Sequence, residues 1–100
     1  MQALFPLGRT LATPGALDAI ARANQTPDEF LRRHVAGDWG ELDAHDVAEN
    51  LYGLKHGFRV LSSYRTNAGE TLWLITEADR ASTTILLPQE YQIPKKENCP

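Results

Sequence analysis

Arg65, Glu77 and Arg80 are the residues of this chain whose types and neighbours suit chemistry. If the strands that carry them pair, the three can converge near one end of a sheet, with Tyr64 and Thr83 alongside. A carboxylate with two guanidinium groups and hydroxyls is the set that metal-independent RNA cleavage uses. Glu77 would take the 2′-OH proton, and the arginines would stabilise the developing phosphorane charge. Two observations oppose this reading. No histidine falls on these strands to serve as the acid, and the chain is acidic, with net charge −3 and pI about 5.5. No global field therefore draws in nucleic acid. The competing reading makes "EADRA" a polar turn in which Asp79 and Arg80 satisfy backbone groups and pair with each other or with Glu77. Exposed pairs of that kind contribute only ~0–1 kcal/mol each.

His34, His45 and His56 stand 11 residues apart. On one helix that spacing is about 16 Å of rise, far beyond what a single ion with ~2 Å Zn–N bonds can span. With no H-x3-H pair and no acidic cluster beside them, they read as surface or helix-end histidines, and neither a metal nor another cofactor is expected. Ser62-Ser63 has no context for activation. Walker A, G-x-S-x-G and dinucleotide-binding glycine motifs do not occur. Thr76, Ser82, Thr83 and Thr84 fit strands for packing reasons alone. Trp39, between two glycines in "GDWGELD", reads as a lid across the helix ends, with an exposed anchor for a partner as the alternative. Trp73, within an apolar strand, reads as core.

The elements that must position these residues are legible from caps and periods. Thr13-Pro14 caps a first helix reaching about Asn24, with Leu17, Ile20 and Ala21 on its inner face. "TPDE" puts Thr26, Pro27 and Glu29 in a capping box, followed by Phe30, Leu31, His34 and Val35 and a Gly37 stop. Asp43 caps a third helix whose inner stripe is Ala44, Val47, Ala48, Leu51 and Leu54, closed by His56 and Gly57. The period then changes to two. "FRVLSSYRT" is a strand with Val60, Ser62 and Tyr64 on one face, "NAG" is a hairpin turn, and "TLWLIT" and "STTILLP" are central strands. "LGRTLAT" can add a strand at the sheet edge.

At 100 residues, 42% apolar and 23% charged, the chain has the composition of one ordinary globular domain. The expected architecture is α+β: about three N-terminal helices packed on one face of a three- or four-stranded antiparallel sheet. The domain covers residues 1–91, and 92–100 reads as a flexible tail that holds the single cysteine, Cys99. One cysteine excludes an internal disulfide. No apolar run approaches ~20 residues, and the opening lacks a signal-peptide pattern, so a cytoplasmic protein without membrane contact is expected.

Four stretches, "TPGAL", "HVAGDWGELD", "LWLITEADR" and "TTILLP", resemble a family of short uncharacterised bacterial proteins labelled plasmid-related, found on plasmids and integrated mobile elements. The resemblance runs from about Leu7 to Tyr91. It implies a bacterial cytosolic setting and a mobile-element context, and it implies no reaction. Helices followed by an antiparallel sheet are also similar, at the level of fold alone, to barnase-like ribonucleases. Two functions follow as expectations. The first is a small non-enzymatic accessory protein that docks to a protein partner, or to itself through a sheet edge. The alternative is a ribonuclease-like or nucleic-acid-binding protein using Arg65, Glu77 and Arg80.

Overall fold

The structure is a computed structural model, and it describes residues 3–91; the expected tail, 92–100, lies outside them. Strand β1 (Arg9–Ala12) leads into three helices, α1 (Pro14–Arg22), α2 (Pro27–Val35) and α3 (Ala44–His56). Strands β2 (Val60–Arg65), β3 (Thr71–Thr76) and β4 (Ser82–Leu86) follow, then a single 3-10 turn over Pro88–Glu90. The α+β class is as expected, with "LGRTLAT" supplying a fourth strand at the edge. The sheet order is β1-β4-β3-β2.

The sheet is mixed rather than antiparallel. β2 and β4 each pair antiparallel with β3, but β1 runs parallel to β4. It follows that β1 and β2 point the same way. The three helices form the crossover between them, and a crossover is what two like-directed strands require.

The helices do not all lie on one face either. Ala16, Ala19 and Ile20 of α1 and Phe30 of α2 pack on Tyr64, Leu72, Leu74 and Ile85 in the main core. Helix α3 instead lies along the β2 edge. Its Val47 and Leu54 reach a second cluster made by Phe5, Trp39 and Val60, while other α3 side chains overhang the opposite face of the sheet.

Local chemistry explains most boundaries. The Thr13 hydroxyl accepts from the Ala16 N–H at 3.1 Å, and the Asp43 carboxylate accepts from the Asp46 N–H at 2.9 Å. Thr26 makes no such side-chain bond. The expected capping box fails because the Gln25 amide takes the Glu29 carboxylate instead, at 2.7 Å. Gly57 ends α3 at φ 78°, a conformation that costs glycine little.

Two helix faces are turned relative to the apolar pattern. In α1 the small Ala16 and Ala19 face the sheet and Leu17 is exposed, because alanines let the helix axis come close. In α3 the buried residues are Asn50 and Gly53, and Leu51 is exposed. Asn50 and Gly53 face inward because α3 meets backbone there rather than side chains. A Cβ at Gly53 would lie 2.9 Å from the Arg59 carbonyl oxygen.

The exposed edge of β2 is sealed. Asn50 Nδ2 donates to the Leu61 carbonyl at 2.6 Å, and the Leu61 N–H donates to Asn50 Oδ1 at 2.9 Å. Next along, the Ser63 N–H donates to the Trp39 carbonyl at 3.0 Å, and the Glu41 N–H to the Ser63 carbonyl at 2.7 Å. Gly40, at φ 76°, permits this approach, since any Cβ there would overlap the Ser63 carbonyl. A side-chain amide and a short loop thus complete the pairing that a fifth strand would have made.

Candidate functional site: an aromatic groove beside a sealed polar core

The strand period sorts the sheet residues into two faces. Val60, Ser62, Tyr64, Leu72, Leu74, Thr76, Thr83 and Ile85 point to the helices and are all buried. Leu61, Ser63, Trp73, Ile75, Thr84 and Leu86 point the other way.

His34 is fully buried on the helix side, contrary to the expectation of a surface histidine. Its ring joins a chain of hydroxyls whose hydrogen positions follow from elimination. The Leu7 carbonyl can only accept, so the Thr83 hydroxyl donates to it, at 2.7 Å. Thr83 has no second hydrogen, so the Thr76 hydroxyl donates to Thr83, also at 2.7 Å. Thr76 is then spent, so His34 Nε2 carries the hydrogen that bridges to Thr76 at 2.9 Å. Nδ1 is left as the acceptor for Ser62 Oγ, at 2.5 Å. The neutral ring is satisfied on both sides, whereas a second proton on Nδ1 would force the Ser62 hydroxyl to turn its hydrogen away and would put a charge into the core. Burial lowers the His34 pKa to about 4.

Ser62 and His34 thus have the spacing of a nucleophile and its base, which the sequence alone did not suggest. Neither is exposed at all. A substrate cannot reach them, and their role is to satisfy polar groups within the core.

Arg65, Glu77 and Arg80 are not brought together. Arg65 is opposite Thr71 at one end of the β2–β3 pair, and Glu77 follows Thr76 at the other, roughly 20 Å of strand away. Arg65 pairs with Glu41 at 3.2 Å, both exposed. Arg80 has φ 60° and donates to three carbonyls, Phe58 at 2.8 Å, Glu77 at 3.1 Å and Gly53 at 3.1 Å. Its guanidinium also sits 5.7 Å from the Phe5 ring centre. Arg80 is a staple between the β3–β4 turn and the C-terminal end of α3. Asp79 accepts from the Ala81 N–H at 2.9 Å, so both residues satisfy backbone groups as the turn reading expected, but Arg80 binds carbonyl oxygens rather than the Asp79 or Glu77 carboxylates.

Trp39 is 7% exposed and stacks on Phe5 at 6.3 Å, with His34 edge-on at 6.0 Å. It is a lid on the second cluster and presents no exposed aromatic surface to a partner. Asp43, His45 and Asp46 place donor atoms within 4.8 Å of one another at the start of α3. This is a histidine with acidic neighbours where none was expected. The Asp43 carboxylate is already engaged as the helix cap, and these groups are largely exposed.

An opening with a volume of about 860 Å³ lies on the other face of the sheet. Leu61, Trp73 and Ile75 form its floor. His45, Asp46, Glu49, Asn50 and Tyr52 of α3 form one wall. Phe58, Arg59, Ala78 and Tyr91 complete it. Trp73 is therefore not core as expected; it is half-buried, with Tyr91 edge-on at 5.8 Å. Tyr52 and Phe58 stack at 5.7 Å with planes 7° apart, and both are more than half exposed. The Arg59 guanidinium donates to the Tyr91 hydroxyl at 3.0 Å.

Tyr91 is held in place from outside the groove. The neighbouring Glu90 carboxylate accepts from the Thr13 hydroxyl at 2.5 Å and the Leu87 N–H at 2.8 Å. These bonds hold its pKa below the usual carboxylate range. No alternating or helical pattern in the sequence signalled the groove, because its walls come from four separate segments.

No protein-family model matches the chain, and no curated protein or solved structure matches it either. No helix among the described residues is long and apolar enough to cross a membrane.

Proposed function

We propose that the protein is a non-enzymatic interaction module that docks a segment of another protein in the groove between α3 and the outer face of the sheet. The observation that carries this reading is the groove's lining. Trp73, Tyr91, Tyr52 and Phe58 supply aromatic surface around an apolar floor, and Tyr52 and Phe58 remain more than half exposed. Exposed aromatic rings bordering a concave apolar floor are the kind of surface on which partners dock. The volume falls within the range of ordinary binding sites.

The chemistry of the other candidates supports the same reading. The Ser62–His34 pair is sealed inside the core, and of the charged set suggested for RNA cleavage Arg65 lies at the far end of the sheet from Glu77 and Arg80. The resemblance of four stretches to plasmid-related proteins would put that partner in the cytoplasm of a bacterium carrying a mobile element.

Selection of random displayed peptides against the full chain tests the proposal. Enriched peptides are expected to bind the unmodified protein and to lose about tenfold in affinity against Phe58→Ser, which removes a ring that is more than half exposed and stacks on Tyr52. Peptides that bind both proteins equally, or a selection without enrichment, would overturn it.

A further inference from the structure

We infer, on the strength of the groove reading, that the segment docked there is basic and inserts a lysine or arginine side chain between the aromatic floor and α3. The groove is chemically one-sided. Asp46 and Glu49 line the α3 wall, and the only full cation in the lining, Arg59, stands apart with Tyr91, to which it is hydrogen-bonded. His45 stands in the same wall, 3.5 Å from the Asp46 carboxylate, which leaves Glu49 as the carboxylate best placed to meet an added cation, on a chain whose net charge is already −3.

Between these charges lie Leu61, Trp73 and Ile75. A lysine or arginine stem is long and apolar and its head is charged, so it can cover such a floor while the head reaches a carboxylate. Indole and phenol ring faces attract the same cation. Arg59 gives the site a direction, since it repels the basic group from its own end and leaves α3 as the place for it. An acidic segment would meet two like charges and a single opposite one that Tyr91 already engages.

The test uses three capped tetrapeptides that differ only in charge: acetyl-Lys-Leu-Lys-Phe-amide and its Gln-Leu-Gln-Phe and Glu-Leu-Glu-Phe counterparts. Binding to the full chain is followed by NMR through the Trp73 indole N–H. The lysine peptide is expected to bind at least about fivefold tighter than the glutamate peptide and to weaken severalfold between low and high salt. Glu49→Gln, an exposed change that leaves the core untouched, is expected to cut that preference to under about twofold without moving the affinity of the glutamine peptide.

Equal affinities for lysine and glutamate peptides, or a preference that survives Glu49→Gln, would overturn the inference. The docking reading would stand in that case if the glutamine peptide or selected peptides still bind through Phe58. If neither these nor any selected peptide binds, the docking reading fails as well.

Discussion

The two faces of the β2–β3 pair are built from alternate residues of the same strands and are finished in opposite ways. On the helix side the polar atoms of Ser62, His34, Thr76 and Thr83 are chained to one another and end on a carbonyl, and none is exposed. On the other side Trp73 and its aromatic neighbours surround a groove of about 860 Å³. The difference lies in what covers each face. Two helices with small or flat residues press onto the first, and α3 only overhangs the second. A face closed to this degree contributes stability and uniqueness, while one left open in the same small domain has apolar surface to spend on a partner.

The comparison can be broken most severely from inside. His34→Ala would leave a void and strand the Ser62 and Thr76 hydroxyls, for a loss of about 3–4 kcal/mol in urea unfolding. A loss under 1 kcal/mol would mean that the hydroxyl chain is not a structural unit.

Acid should act on the same site with a defined sign. The unfolded chain binds a proton at His34 below its ordinary pKa of 6.5, while the folded chain resists until about 4. Stability contributed by the neutral ring is therefore complete above pH 6.5 and lost as pH falls towards 4, by about 3 kcal/mol. The slope of unfolding free energy against pH in that window should flatten in His34→Gln.

At the β2 edge, Asn50→Asp keeps the shape but sets an acceptor against the Leu61 carbonyl. It should cost about 2 kcal/mol and speed amide exchange at Leu61. The smallest effect belongs to the open face, where Phe58→Ser should change stability by less than about 1 kcal/mol while weakening the docking described above about tenfold. A large loss of stability there would make the groove a piece of the core.

Much of the fold was legible because it is local. The caps at Thr13 and Asp43, the stop at Gly57 and the alternation along β2 each depend on residues a few positions apart. The parallel placement of β1 depends instead on where a long crossover returns, which no short window encodes. His34 and Asn50 were missed for a related reason. Hydrophobic patterning sorts polar residues to the surface, and both are buried against partners far along the chain that make burial inexpensive. The convergence of Arg65 with Glu77 and Arg80 required a register, and the register set by the hairpin at Asn67 to Gly69 puts Arg65 at the opposite end from the other two. The groove was illegible as a unit, although Phe58 and Trp73 were in view separately.

The sealed β2 edge has one more consequence, for assembly. β1 has β4 on one side and, among the described residues, no strand on the other, so each copy offers one free edge. Two copies that join through β1 use up both free edges at once, and the Asn50 amide then terminates the extended sheet at each end. Pairing of two copies through β1 would leave at its ends the β2 edges, where Asn50 and the Trp39–Glu41 loop already occupy the pairing positions of Leu61 and Ser63.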